Sequence, residues 1–265
     1  MSSDAETPLS DELVHALQHS RAQAFCHDIV MDAIDISMAF DRHLLVYGIE
    51  GLFLLETEDA SWRQPPSRVA WIPAGTHVKA TTIKQVRCTS VFLQRDFAPP
   101  LADDLLVFSA SPVIREMIKH SRRWTVETGS GDDELERFFL TLLDLCRAQV
   151  HEGSEFALPK ARSPELNVAL QHTLSNLAEP IRLEDAAGKA AMSPRTLMRR
   201  LSSEIDMTWG QYLHRARMLR SMECLARGTS VTQTSLEVGY TNMAAFSTAF
   251  RKFTDMTPSD YRAQF

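Results

Sequence analysis

Leu183-Glu-Asp-Ala-Ala-Gly-Lys-Ala-Ala-Met-Ser-Pro-Arg-Thr-Leu-Met-Arg-Arg-Leu201 decides how the chain folds. A short helix is expected over residues 184–190. Its small residues Ala186, Ala187 and Ala190 let another helix approach closely. Ala191-Met192 forms a turn. Ser193 is a favoured N-cap, and Pro194 suits the first helical position because its missing N–H has no intrahelical partner there. In the helix that follows, Leu197 and Leu201 are one turn apart and face a core. Arg195, Thr196, Met198 and Arg199 fall on other faces. A helix that hides leucines and shows arginines suits the major groove, where Arg bonds guanine edges bidentately. An ordinary solvated basic face is the other reading of this segment taken alone.

The pattern recurs. Residues 231–239, Val-Thr-Gln-Thr-Ser-Leu-Glu-Val-Gly, read as a second short helix ending at a glycine suited to a left-handed turn. Tyr240-Thr241-Asn242 supplies turn and cap. A second probe helix is expected over residues 243–253, with Phe246, Phe250 and Phe253 inward and Met243, Ala244, Ser247, Thr248 and Arg251 outward. Matching Ala191 to Gly239 gives an offset of 48 residues. A repeat that keeps turn, cap and inner face is harder to dismiss than one copy. The connector, residues 208–227, carries the apolar stripe Tyr212, Leu213, Ala216, Leu219, Met222 and Leu225. About twenty helical residues span ~30 Å, against the ~34 Å between successive major grooves on one face of B-DNA. Arg215, Arg217 and Arg220 add charge near this helix, with Arg217 read as a buried structural ion pair.

Charge supports two parts with different partners. The 265 residues carry 28 Lys+Arg and 34 Asp+Glu, a net −6. From Lys160 onward there are 14 basic and 10 acidic groups, giving +4, so the residues before it hold 14 and 24, giving −10. The 44% hydrophobic content excludes wholesale disorder. Apolar runs such as Leu52-Phe-Leu-Leu55 fall far short of the ~18 residues of a membrane span. The opening residues MSSDAETPLSDE are polar and acidic, so no signal peptide is expected. Cys26, Cys88, Cys146 and Cys224 are scattered without a C-x-x-C pair, which fits free thiols in a cytoplasmic protein.

The front half reads as strands and then helices. His43-Leu-Leu-Val-Tyr-Gly, Gly51-Leu-Phe-Leu-Leu-Glu, Val69-Ala-Trp-Ile, residues 77–83 and Val86-Arg-Cys-Thr-Ser-Val-Phe-Leu are short strand-like runs between turn signals at Pro65-Pro66-Ser67 and Pro73-Ala-Gly75. They suggest a small antiparallel barrel or sandwich. Ser111-Pro112 opens one helix, and Asp132-Asp133-Glu134 opens another that runs to about Val150 with Leu135, Phe138, Phe139, Leu142, Leu143 and Cys146 on its apolar side. These helices either cover the barrel or pair with a second chain. The expected divisions are a tail or short helix over 1–24, a barrel domain over 25–152, a linker over 153–164 and a helical domain over 165–265.

Residues 165–262 resemble the DNA-binding domain of the AraC/XylS family of bacterial transcription regulators. The motifs carrying the resemblance are Ala187-x-x-x-Ala191-Met192-Ser193-x-x-x-Leu197-x-Arg199-x-Leu201, Tyr212-x-x-x-x-Arg217, Val238-Gly239-Tyr240, Phe246-Ser247-x-Ala249-Phe250-Arg251-x-Phe253 and Met256-Thr257-Pro258-Ser259-x-Tyr261-Arg262. The resemblance implies seven helices with two helix-turn-helix units. It implies base-facing Arg195, Thr196, Met198 and Arg199 in the first unit and Asn242, Met243, Ala244 and Thr248 in the second, with Arg251 near phosphate. Ala191, Asp206 and Asp255 stand where the family usually has glycine. Ala244 and Ala245 replace a polar or aromatic pair, so the first unit is expected to carry most base specificity.

Residues 25–95 are similar to the cupin-like sensor domain of many family members, on the strength of Trp71-Ile-Pro73-Ala-Gly75. Met38-Ala39-Phe40 stands where metal-binding cupins carry H-x-H, and only His27, His43 and His77 remain as conceivable ligands, so neither metal nor other cofactor is expected. The fold class is therefore α+β with two domains: a cupin-like barrel with flanking helices, then an all-α double helix-turn-helix domain. The expected function is a sequence-specific, non-enzymatic transcription regulator. Its front domain binds a small effector, with His43, Tyr47, Trp71 and His77 as candidate contacts, or dimerises. Promoter DNA, RNA polymerase and a second copy are the expected partners, and no membrane. The competing class is a cupin-type oxygenase or isomerase with a helical appendage, which needs a metal triad or acid/base pair in the barrel.

Overall fold

The computed structural model describes residues 20–129, 133–150 and 156–265. Most of the expected tail over 1–24, the Asp132 helix start and the beginning of the linker lie outside the described residues. The chain divides into two units, Met1–Thr57 with Trp62–Ser154, and Glu58–Ser61 with Glu155–Phe265.

The first unit is built on strands β1 (Ala24–Met31), β2 (Asp35–Met38), β3 (His43–Glu50), β4 (Phe53–Glu56), β5 (Ala60–Gln64), β6 (Arg68–Ile72), β7 (Val78–Thr82), β8 (Val86–Leu93) and β9 (Leu106–Ser109). One sheet runs β1-β8-β3-β6-β9 and the other runs β5-β4-β7-β2. The β1–β8 and β3–β8 pairs are antiparallel, with Cys26 opposite Val91 and Leu45 also opposite Val91. Turn chemistry sets the breaks. Ser67 after Pro65-Pro66 takes φ 66°, and Gly75 in Pro73-Ala-Gly takes φ 84°.

Strand alternation sends neighbouring side chains to opposite faces. On the first sheet Leu45, Tyr47, Val69, Trp71, Val91 and Leu93 join a core with helices α1 (Pro112–His120) and α2 (Asp133–Gln149). Ser111 caps α1, its hydroxyl accepting from the Ile114 N–H, and Pro112 stands at the first position. Ile114 and Ile118 of α1, and Leu135, Phe139, Leu142, Leu143 and Cys146 of α2, are buried against the sheet. Of the two roles open to these helices, their apolar stripes therefore cover the sheet within one chain. Phe139 packs on Trp124 with ring centroids 5.4 Å apart, and edge-on to Phe138 at 5.3 Å.

The second unit holds β10 (Ala157–Pro159) and seven described helices: α3 (Pro164–Ser175), α4 (Leu183–Lys189), α5 (Pro194–Ile205), α6 (Trp209–Ala226), α7 (Val231–Glu237), α8 (Met243–Thr254) and α9 (Pro258–Arg262). The Lys160 N–H donates to the Asp59 carbonyl at 2.7 Å, tying β10 to residues 58–61. Helix α6 is the spine. Thr208 and Gln211 cap it reciprocally, and Met218, Leu219, Met222, Cys224 and Leu225 are buried along it. Glu204 at the end of α5 accepts from the backbone N–H groups of Arg162 and Ser163 and from the Ser163 hydroxyl, fixing the start of α3. No described helix is long and apolar enough to cross a membrane. All four cysteines are buried and free, and burial pushes the thiols of Cys88 and Cys146 up to about 12.

Because Phe139 is wholly buried, Phe139→Ala is expected to lower stability by about 3–5 kcal/mol. Val113→Ala, on the half-exposed side of α1, should stay within about 0.5 kcal/mol of the parent. Urea denaturation followed by circular dichroism checks both.

Candidate nucleic-acid interface and barrel cavity

Two copies of one local design build the interface. Helix α4 ends at Ala190 and the chain then turns left-handed at Ala191, φ 52°. The Met192 N–H reaches the Ala187 carbonyl at 2.9 Å and the Ala191 N–H reaches that of Gly188 at 3.1 Å, the paired bonds of a Schellman turn. Helix α7 repeats it. Gly239 has φ 77°, the Tyr240 N–H meets the Ser235 carbonyl at 2.9 Å, and the Gly239 N–H meets that of Leu236 at 3.0 Å. Up to this turn the copies lie 48 residues apart. Beyond it the offset is 49: Pro194 corresponds to Met243, Leu197 and Leu201 to Phe246 and Phe250, and Asp206-Met207-Thr208 to Asp255-Met256-Thr257. The single 48-residue offset expected from sequence therefore needs correcting by one residue, inserted in the second turn. Asp206 and Asp255 both take the left-handed conformation, at φ 51° and 63°.

Each probe helix is capped and buried on one side. The Ser193 hydroxyl accepts from the Thr196 N–H at 3.2 Å. Asn242 Oδ1 accepts from the N–H groups of Ala244 and Ala245 at 2.9 and 3.0 Å. Leu197, Leu201, Phe246 and Phe250 are fully buried. Of the side chains expected at bases, Arg195, Met198, Arg199, Asn242, Met243, Ala244 and Thr248 are exposed, Thr196 is half-buried, and Arg251 is exposed. Two carry prior commitments: the Thr196 hydroxyl lies 2.9 Å from Ser193 Oγ, and the Asn242 oxygen is held by its cap. Arg195 and Arg199 make no side-chain bond among the described residues, whereas Arg200 beside them pairs with Glu165 at 2.8 Å.

Arg217 is not the ion pair expected. It donates to the Glu179 carbonyl at 3.2 Å, and its guanidinium lies 5.9 Å from the centre of the Tyr240 ring. Burial lowers its pKa and raises that of Tyr240, while each offsets the other's shift. A Cβ at Gly239 would stand 2.6 Å from Arg217 Nη2 and 2.5 Å from the Leu177 carbonyl. Arg217 thus pins the second turn. Arg220 pairs with Glu223 at 2.9 Å, and Arg215 donates to the Ala157 carbonyl at 3.3 Å.

Residues 186–264 match the family model described as a helix-turn-helix domain. The chain is 24% identical over 247 residues to the HTH-type transcriptional regulator NimR of Escherichia coli, covering 93% of this chain and 89% of that protein. It is 34% identical over 129 residues to the transcriptional activator RhaS of Citrobacter koseri, covering 48% of this chain and only 45% of that one. The carboxy-terminal unit is an AraC-type helix-turn-helix domain. A solved transcriptional regulator from Chromobacterium violaceum, one of the AraC-type DNA-binding domain-containing proteins, is 27% identical, with 38% of this chain and 91% of that one covered and a TM-score of 0.37.

The barrel unit that precedes the AraC-type domain holds a cavity of about 50 Å³ between its two sheets. Leu44 and Val46 of β3, Ile72 of β6 and Phe92 of β8 line it from one sheet, and Phe53, Leu55 and Val78 from the other. None of the four expected effector contacts lines it. Tyr47 and Trp71 have the opposite strand parity and face α1 and α2. His43 is stacked on Trp71 at 4.9 Å, its Nδ1 accepting from the Ala74 N–H, and His77 is exposed in the β6–β7 loop. Sequence reading missed Gln64, which is fully buried on the cavity wall. It stands between Arg63 and Pro65 at the end of a strand of mixed composition, so no local signal marks it.

The two left-handed positions predict opposite responses. Ala191→Gly removes the Cβ strain of a left-handed residue and should raise stability by about 0.5–1 kcal/mol. Gly239→Ala adds that strain together with the two close contacts, and should lower stability by at least about 2 kcal/mol. Urea midpoints at unchanged slope read out both.

Proposed function

We propose that this AraC-type helix-turn-helix regulator binds promoter DNA sequence-specifically, with α5 and α8 entering successive major grooves. On this reading Arg195, Thr196, Met198 and Arg199 face bases from α5, Asn242 at the cap of α8 and Met243, Ala244 and Thr248 on that helix face bases from the second unit, and Arg251 meets phosphate. The observation that carries the reading is the exposed pair Arg195 and Arg199, one turn apart on a capped helix and without partners among the described residues. Helix α6 between the two units has 18 residues, or ~27 Å at 1.5 Å per residue, a length compatible with probes about one DNA turn apart. The barrel unit is proposed to bind a small effector in its cavity and to support a homodimer.

The one-residue shift sharpens the division of labour. By offset 49 Arg195 and Arg199 correspond to Ala244 and Thr248. The second helix therefore contributes methyl contact and positioning more than bidentate readout. Binding should weaken linearly in log[salt], as phosphate contacts release counterions. Arg199→Ala should cost about 1–3 kcal/mol on the selected site and relax base preference, while Thr248→Ala changes preference by less than about 1 kcal/mol. Fluorescence anisotropy on sites taken from selection of randomised duplexes measures both. Equal loss of discrimination in the two variants, or affinity indifferent to salt, would refute the assignment.

A further inference from the structure

We propose that the free edge of β1 is a homodimer interface, the strand pairing antiparallel with its own copy about a twofold axis at Ile29, so that each Asp28 stands opposite the partner's Val30. This rests on the homodimer reading above and names the surface that serves it.

Strand β1 ends its sheet, with β8 on one side and no strand on the other. In an antiparallel strand the N–H and C=O of one residue point the same way, and successive residues alternate. The Ala24 and Cys26 N–H groups point away from β8, to the carbonyls of Gly129 at 3.3 Å and Trp124 at 2.8 Å. The β1–β8 register runs unbroken from Ala24 to Met31. Asp28 and Val30 therefore present their N–H and C=O to that same side, where none of the four groups has a partner among the described residues. Residues 124–129 cover the first half of the edge and leave the second half bare. An open edge is a template for another strand, and proteins ordinarily guard it with lysine, proline or a bulge. His27-Asp-Ile-Val-Met31 has none of these. Ile29 and Met31 line the cavity between the sheets, so Asp28 and Val30 lie on the outer face. There the Asp28 carboxylate is held by the Thr89 hydroxyl at 2.6 Å and by Arg122 at 3.0 Å, and Val30 is 61% exposed.

The bare edge is complementary to itself. Two copies related by a twofold axis pair antiparallel, and the outward groups choose the register. Centred on Ile29, Asp28 and the partner's Val30 exchange both backbone bonds, and so do Val30 and the partner's Asp28. Centring on Asp28 sets two carboxylates side by side and presses Val30 against Cys26, whose N–H is already bound to Trp124. Centring on Val30 sets Asp28 opposite Asp32, again like against like. Only the Ile29 register meets every bare group and opposes no charge to its own kind. It also places charges well. Val30 lies opposite Arg87 on β8, so a row across the joined sheets reads Arg87, Val30 and the partner's Asp28. The outer face beside the edge is hollow, about 440 Å³, bounded by Tyr47 and Ile49 on the sheet and by Lys119 and Arg122 from the helical cover. That hollow leaves room for the partner's Val30.

Sedimentation velocity on the full chain over about 1–100 μM reads the association. The parent is expected to form a reversible dimer, since a short edge is a small contact. Val30→Pro removes one outward N–H from each chain while breaking no bond within it. It should weaken the dimer at least about tenfold, the worth of the two lost hydrogen bonds, with circular dichroism checking the fold. Crosslinking needs no proline. Asp28→Cys and Val30→Cys proteins, mixed and mildly oxidised, should give a disulfide-linked dimer of one with the other, because directly paired residues have Cα atoms ~5.5 Å apart. Neither variant alone should crosslink, as two copies of the same position lie more than ~8 Å apart in this register. The four native cysteines are buried and do not compete. A dimer that Val30→Pro leaves intact, a crosslink from either variant alone, or none from the mixture overturns this interface while leaving a homodimer in place. A parent that stays monomeric throughout the range overturns both the inference and the homodimer reading, with DNA binding untouched.

Discussion

One left-handed residue aims each probe helix. In a helix-turn-helix unit the angle between the two helices decides whether the second can enter a groove. Here that angle is set at Ala191 and Gly239, where two backbone hydrogen bonds close the preceding helix and the chain reverses its twist. Everything outward depends on it. Ser193 and Asn242 cap the next helix only because the turn delivers them there. The buried pairs Leu197 with Leu201 and Phe246 with Phe250 seat the helix so that the opposite side stays exposed. The two turns reach the same backbone geometry by different means. The first forces an alanine into a conformation that costs roughly 1–2 kcal/mol. The second uses glycine and closes the space around it with Arg217 and the Leu177 carbonyl.

The extra residue in the second turn has a functional consequence. Asn242 becomes the counterpart of Ser193 rather than of Pro194, and its oxygen serves the helix end. Under the corrected offset the two arginines of α5 are matched by an alanine and a threonine on α8. The duplicated framework thus carries unequal chemistry. The repeat Asp-Met-Thr after both probe helices, at 206–208 and 255–257, shows that the framework itself was kept: a left-handed aspartate, then a threonine capping the next helix.

The helical unit was largely legible from sequence because its signals are local. Caps, prolines at first positions and 3.6-residue stripes lie within one turn of the groups they act on. Strands in the barrel were legible where β-branched and aromatic runs met turn residues, as in β3, β6 and β8. The short strands β2 and β9 pair with strands distant in sequence, β7 and β6, and β5 (Ala-Ser-Trp-Arg-Gln) carries mixed composition, so no local window marks them. Which face a strand residue takes is a global property. Tyr47 and Trp71 are attractive ligand contacts by type, but register places them under α1 and α2, while their neighbours Val46 and Ile72 line the cavity. Arg217 shows the same limit: its charge suggested a carboxylate, whereas its partners are a carbonyl and a ring supplied by other elements.

Net charge is a poor guide to where nucleic acid would bind, and the ion pairs explain why. The chain is acidic overall, and even its basic half carries only a small excess. Part of that half's positive charge is already offset, Arg200 by Glu165 and Arg220 by Glu223, while Arg215 and Arg217 keep their charge but are held in place by backbone carbonyls. A cation tied to a carboxylate contributes little field beyond a Debye length of about 8–10 Å. Arg195 and Arg199 are not tied in this way, and both lie on the exposed side of a capped helix. The field a phosphate backbone meets is therefore set by which arginines lack partners rather than by how many there are.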